Sequence, residues 1–210
     1  MTNSDLPAII LVATVWCYWF GIGVKIVRAR RRSHDLAGLV PEQARERAMW
    51  LIWIPLVVAW IVLPWLSLRR SSPWLAVPEF ARDEPAYATL RWLAAMVALG
   101  CLAMTMWCWS TMGKNWRMDV SEKHKGALIT DGLFTYVRHP IYALSMLLMI
   151  CSAIIVATVP MAVVAVVHIV LNNIKARNEE QYLLRAHGEP YARYVRRTGR
   201  FFPRVEAKAL

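Results

Sequence analysis

Four polar residues on one apolar stretch have the spacing of a single helix face. His168, Asn172, Lys175 and Glu179 follow one another at intervals of four, three and four residues. Those intervals place all four side chains on one side of a helix. An ionisable residue within an apolar helix is costly and marks a functional candidate, which makes His168 a candidate base. Hydrogen bonding between helices explains His168 and Asn172 equally well, and the spacing does not decide between the two.

A second polar group is the segment 131–142, which contains Arg138, His139 and Pro140 in succession. Pro140 suits the first position of a helix because its missing N–H would have no partner there. Arg138 and His139 then precede the positive end of that helix, where a carboxylate or another anion can bind. The alternative is a turn at a membrane surface whose Arg and His contact lipid phosphates. The residues alone leave both open.

The third group lies where the last apolar stretch ends. Two adjacent carboxylates, Glu179 and Glu180, follow Lys175 and Arg177. On its own this pattern is typical of a helix entering water. The functional alternative is that one carboxylate faces inward and compensates a cationic ligand.

The composition identifies the elements that must position these groups. Hydrophobic residues make up 58% of the 210 residues, charged residues only 19%, and the mean hydropathy is +0.36. These values exclude an ordinary soluble domain and predict an all-α integral membrane protein. The net charge of +11 comes from Lys and Arg beside apolar stretches, which fits contact with anionic membrane lipids. No nucleic-acid-binding motif accompanies it, so no nucleic-acid partner is expected.

The apolar pattern predicts five membrane-spanning helices. Three cover about residues 6–27, 48–68 and 88–112, and the apolar block 141–174 is too long for one crossing. Pro160 near the middle of that block predicts a tight hairpin of two helices. A surface-lying C-terminal helical segment that turns near Gly188 and Pro190 should follow. The four cysteines lie in apolar stretches without a C-x-x-C pair, so no metal site is predicted.

Two separated motifs resemble a known family. The run 128–142 is followed, after the apolar hairpin, by a second set of residues: Glu179, Glu180, Leu183, Gly188, Tyr191, Tyr194, Arg200 and Pro203. Together they resemble the isoprenylcysteine carboxyl methyltransferase family and its phospholipid methyltransferase relatives, over about residues 113–203. The upstream run Gly113-Lys114-Asn115-Trp116 fits as well. The chain thus divides into region 1–112, with three helices, and a methyltransferase core, 113–210.

The resemblance implies S-adenosylmethionine as cofactor, held at the cytoplasmic side between the motif turn and the Glu-Glu helix. The residues implied to bind the cofactor are His139, Tyr142, Glu180, Tyr136, Leu128 and Pro140. The resemblance also implies that Glu179 and Glu180 compensate the cofactor's positive groups and that Arg138 lies near the reacting carboxylate. Arg177 and His168 join Arg138 and Glu179 as candidate catalytic residues. Leu144 stands where family members often have glycine, which affects how closely the cofactor approaches the helix.

The acceptor's chemistry decides which side chains are needed. Methyl transfer from a sulfonium needs positioning and exclusion of water rather than a metal. A carboxylate acceptor, such as that of an isoprenylated cysteine, is ionised at pH 7 and needs only a cationic guide: Arg138, Lys175 or Arg177. A phospholipid or other amine needs a base, for which Glu179 and His168 are candidates. A non-enzymatic scaffold or transporter leaves the motif pair unexplained.

Positive charge near the span ends predicts the orientation. The loops after the first and third spans are rich in Lys and Arg, whereas the connection after the second is nearly balanced and the hairpin tip is uncharged. Because positive loops stay in the cytoplasm, we predict an external N-terminus and a cytoplasmic C-terminus and site. Reporter fusions after Ala76 and after Lys123 should show opposite locations, and a shared location would contradict this orientation.

Overall fold

The described part of the chain is helical throughout. The computed structural model describes residues 5–33, 44–69, 72–113, 116 and 128–204. It contains a 3-10 turn at Gly132–Thr135 and seven helices: α1 Leu6–Ser33, α2 Ala44–Arg69, α3 Glu79–Asp83, α4 Pro85–Met112, α5 Pro140–Val156, α6 Val159–His187 and α7 Glu189–Arg197. Extended pairing among the described residues is limited to one parallel bridge, between Val137 and Gly199.

Within the described ranges, four helices are long and apolar enough to cross a membrane: α1, α2, α4 and α6. The apolar helix α5 has 17 residues and is shorter. Large apolar side chains such as Leu51 and Met96 point outward from the bundle, 77% and 60% exposed. These features confirm a helical membrane protein, while five crossings stay a prediction. The predicted basic loops around 34–43 and 117–127, with Lys114 and Asn115, lie outside the described residues.

The predicted break in the last apolar block lies at two residues between α5 and α6. Ala157 adopts a left-handed conformation with φ of 52°, and Pro160 is the second residue of α6 rather than the break itself. Proline is well placed there because the first N–H groups of a helix have no intrahelical partner. The two helices pack against each other, and Ser145 on α5 is hydrogen-bonded to His168 on α6 at 2.9 Å.

Trp60 on α2 joins four helices at the centre of the bundle. Its ring is fully buried and lies 5.8 Å from the rings of Tyr18 and Trp19 on α1 and 4.9 Å from that of His168 on α6. Its Nε1–H donates to the Ser152 hydroxyl on α5 at 3.0 Å. An indole suits this position because it adds a large apolar surface while its single donor finds a partner.

Arg91 caps the far end of α5, away from the Arg138–Pro140 turn. Its Nη2 donates to both carboxylate oxygens of Asp5, at 2.8 and 2.6 Å, and its Nε donates to the Ile155 carbonyl at 2.9 Å. The Tyr87 hydroxyl donates to the Ile154 carbonyl at 3.1 Å. The last carbonyls of a helix lack intrahelical partners, and lipid supplies none. These side chains therefore let a short α5 end inside the bundle.

We predict that Asp5→Asn lowers the free energy of unfolding by about 3 kcal/mol, because it leaves the buried Arg91 charge without its counter-ion. Unfolding in mixed micelles, followed by circular dichroism, measures the change. Asp83→Asn is the matched control, since Asp83 is exposed and should cost less than about 0.5 kcal/mol. Equal losses in the two variants would contradict a stabilising role for the pair.

Candidate functional site

The two sequence motifs meet at the end of the bundle where α5 begins. The turn before α5 supplies Arg138 and His139, the first turn of α5 supplies Tyr142, and α6 supplies Glu179 and Glu180. These five residues are named the motif cluster. Pro140 is the first residue of α5, as predicted, and His139 is the residue that precedes the helix. The cluster thus lies at the positive end of a helix dipole.

Glu180 is neutralised by two guanidinium groups. The Arg138 Nε donates to its Oε1 at 2.9 Å. Arg200 approaches with its Nε 3.0 Å from both oxygens and its Nη2 2.5 Å from Oε2. Hydrogen bonds between such ions are stronger than those between neutral groups, and the fork of arginine matches the carboxylate. Both oxygens of Glu180 are therefore already engaged.

Glu179 has different neighbours. The Tyr142 hydroxyl donates to its Oε1, and the His139 Nδ1 lies 3.6 Å from its Oε2. Within the described residues it forms no ion pair with Arg or Lys, although its side chain is only 16% exposed. A partly buried carboxylate without a fixed cation favours a cationic ligand. The adjacent carboxylates thus differ in what they still can bind.

His139 lies between the two carboxylates. Its Nε2 is 3.5 Å from Glu180 Oε1, and its ring stacks on that of Tyr142 at 5.5 Å with an interplanar angle of 6°. The side chain is 6% exposed. Its position is fixed by the stacking and by the backbone N–H, which donates to the Arg200 carbonyl at 3.0 Å.

The segment 198–200, here named the C-terminal clasp, holds the motif turn through the main chain. The Arg138 N–H donates to the Gly199 carbonyl at 2.8 Å, and the Gly199 N–H donates to the Tyr136 carbonyl at 3.3 Å. The Arg138 Nη1 also donates to the Thr198 carbonyl. A Cβ on Gly199 would lie 1.7 Å from the Phe202 carbonyl oxygen, so only glycine fits this position. The clasp and the turn form one hydrogen-bonded unit.

Two tyrosines of α7 support this unit from the side. The Tyr194 hydroxyl donates to the Phe134 carbonyl at 2.5 Å, and burial raises the pKa of Tyr194 to about 12. Burial, and next the Glu180 carboxylate, raise the pKa of the Tyr191 hydroxyl above its usual range. Both phenols are neutral at pH 7, so neither acts as a base; Tyr194 is a hydrogen-bond donor, and Tyr191 is a buried packing group.

Other predicted site residues lie outside the motif cluster. Tyr136 is 62% exposed, Leu128 is half-buried in the segment before the 3-10 turn, and Arg177 is exposed on α6. His168 is buried against Trp60 and Ser145, eleven residues before Glu179, or about 17 Å along the helix axis. The structure brings together five of the predicted residues around Pro140 and places His168 in the bundle core.

Arg200 contacts the motif cluster, although the sequence motif assigned it no role at the site. It belongs to the second motif, but its contact with Glu180 depends on how the chain returns after α7. The contacts of Gly199 with the motif turn likewise depend on the path of the chain after α7. A signal was present in the sequence, since a glycine and an arginine follow the tyrosines at the motif's end, but it carried no information on partners.

The comparison with known families places this geometry in context. Residues 92–185 match the model of the isoprenylcysteine carboxyl methyltransferase (ICMT) family. This similarity to the ICMT family covers just under half of the chain. The matched region begins in α4 and ends near the end of α6, so it contains the motif cluster but not the C-terminal clasp. The family resemblance expected from the two motifs is confirmed over this region, and it supports a membrane methyltransferase in general terms.

Two curated relatives have names from metal resistance. The cobalt-zinc-cadmium resistance protein CzcN of Cupriavidus metallidurans is 28% identical over 147 residues, covering 67% of this chain and 66% of the relative. The nickel-cobalt-cadmium resistance protein NccN of Alcaligenes xylosoxydans xylosoxydans is 27% identical over 113 residues, covering 53% and 52%. The chain therefore spans about two thirds and about half of these relatives.

We predict that Gly199→Ala opens the C-terminal clasp, because the added methyl group collides with the Phe202 carbonyl. Limited trypsin digestion should then cut after Arg197 and Arg200 about tenfold faster than in the wild type, given that cleavage follows local opening. Gly100→Ala is the matched control, since a Cβ there meets nothing within 4 Å. Identical digestion of both variants would show that the clasp does not depend on Gly199.

Proposed function

We propose that the protein transfers a methyl group from S-adenosylmethionine to a lipophilic acceptor at the motif cluster. The observation that carries the proposal is the unequal environment of the two carboxylates. Glu180 is neutralised by two arginines, whereas the described partners of Glu179 are Tyr142 and the imidazole of His139. S-adenosylmethionine brings an ammonium and a sulfonium, and a partly buried carboxylate is a suitable partner for either. The family of the chain supports the same cofactor.

The residues of the cluster fit the cofactor's two kinds of charge. Glu179 would bind a cationic group, and the start of α5 at His139 and Pro140 would face the cofactor's carboxylate. Tyr142 keeps Glu179 in place. Contacts from Tyr136 and Leu128 stay a prediction from the family resemblance. Glu180 takes a different part from the one the resemblance implied: in this proposal it holds the cluster together instead of contacting the cofactor.

The bound cofactor supplies an electrophilic methyl group, so the protein's task is positioning and exclusion of water. A carboxylate acceptor needs a cationic guide. Arg138 has its Nε and Nη1 engaged by Glu180 and by main-chain carbonyls, which reduces its capacity to hold an acceptor. Arg177, exposed on the same helix as Glu179, is the better placed guide. For an amine acceptor, Glu179 is the base nearest to the site, since His168 lies in the bundle core.

The acceptor should be a molecule of the bilayer. Helix α6, which carries Glu179 and Glu180, is long and apolar enough to cross the membrane and exposes apolar side chains such as Val166, which is 63% exposed. A tail in the bilayer therefore reaches the cluster without leaving lipid. An isoprenylated cysteine carboxylate is the first candidate acceptor, and a phospholipid amine the second. We place the protein in the plasma membrane with five crossings, an external N-terminus and a cytoplasmic cluster, in contact with anionic lipids.

We predict that Glu179→Gln raises the dissociation constant for S-adenosylmethionine about ten- to hundredfold, the equivalent of one charge-assisted hydrogen bond. Isothermal titration of the full chain in detergent measures it. Glu189→Gln is the matched control because Glu189 is an exposed carboxylate that pairs with exposed Arg196 on α7. His168→Ala should also retain the wild-type affinity. A Glu179→Gln variant that binds as tightly as the wild type would exclude this carboxylate as the cofactor's partner.

A further inference from the structure

Arg200 is attached to the motif cluster in two ways. Its guanidinium group holds Glu180 on α6 with three contacts of 2.5 to 3.0 Å, and its carbonyl accepts the N–H of His139 at the start of α5. A single residue of the C-terminal clasp therefore joins the two helices that carry the cluster. The side chain is 32% exposed, compared with 14% for that of Glu180.

The charge of Arg200 matters because two carboxylates are adjacent in sequence. Like charges close together disfavour ionisation, and a neighbouring cation restores it. Arg200 and Arg138 together compensate Glu180, so that Glu179 is left to bind a cationic ligand. Without Arg200, Glu180 would retain Arg138 alone and would attract the imidazole of His139, which is 3.5 Å away. His139 would then turn away from Glu179.

We propose that Arg200 is a positioning residue: acting through Glu180 and the backbone of His139, it holds Glu179 and His139 in the arrangement that binds the methyl donor. This inference rests on the proposed function. Arg200 does not itself touch the cofactor in this proposal. Arg138 binds the same carboxylate, but it also supports the carbonyls of Val195 and Thr198, so its substitution would disturb the fold as well.

The test uses the full chain in lipid nanodiscs with four variants: Arg200→Gln, Arg200→Lys, Glu180→Gln and the double variant Arg200→Gln/Glu180→Gln. The dissociation constant for S-adenosylmethionine is measured by titration calorimetry. Arg193→Gln is the matched control, since Arg193 is an exposed arginine on α7 outside the cluster. Circular dichroism establishes that each variant is folded.

We expect Arg200→Gln to raise the dissociation constant about tenfold, the loss of one charge-assisted contact, while Arg193→Gln leaves it unchanged. Arg200→Lys keeps the charge but loses the fork, so its constant should fall between those of the wild type and Arg200→Gln. If Arg200 acts through Glu180, the double variant should bind no more weakly than Glu180→Gln alone. A purely structural loss would instead add to that of Glu180→Gln.

The outcomes are separable. Wild-type affinity in Arg200→Gln, or additive losses in the double variant, would overturn the positioning role while leaving the proposed function intact. A wild-type chain that does not bind S-adenosylmethionine would overturn both. If Arg200→Gln does not fold, Arg200→Lys decides: an affinity about threefold weaker or worse supports the role, and wild-type affinity overturns it.

Discussion

Lipid offers no hydrogen bonds, so a polar group inside this bundle is costly unless it finds a partner within the chain. That constraint accounts for features far apart in the molecule. At one end, Arg91 and Tyr87 donate hydrogen bonds to the last carbonyls of α5, and Asp5 neutralises the charge of Arg91. In the centre, the indole of Trp60 pairs with Ser152. At the other end, two arginines pair with Glu180.

The motif cluster shows how two identical residue types acquire different properties from their surroundings. Glu180 faces the C-terminal clasp and meets two guanidinium groups, whereas Glu179 faces the start of α5 and meets a phenol and an imidazole. The first is a fixed structural anion, and the second has no arginine or lysine partner among the described residues and can bind a cationic ligand. Consecutive residues on a helix point about 100° apart, which is enough to give them separate environments.

Much of the fold could be predicted from apolar periodicity and helix signals. The long helices, the start of α5 at Pro140 and the end of α6 at Gly188 follow from local rules. Contacts between distant segments could not be predicted. Asp5 and Arg91 are 86 residues apart, and nothing local indicates that they meet. The spacing from His168 to Glu179 predicted a shared face of one helix. It did not predict that His168 packs in the bundle core, away from the motif cluster.

The C-terminal clasp also sets an order of assembly. A ribosome releases α5 and α6 before residues 198–200, so the helices are available to the membrane while the motif turn still lacks the carbonyls of Gly199 and Arg200. At that stage the Glu180 carboxylate also lacks its second guanidinium partner, that of Arg200. A chain still being translated therefore contains the motif turn and both glutamates but no finished cluster, which is complete only when segment 198–200 has been synthesised.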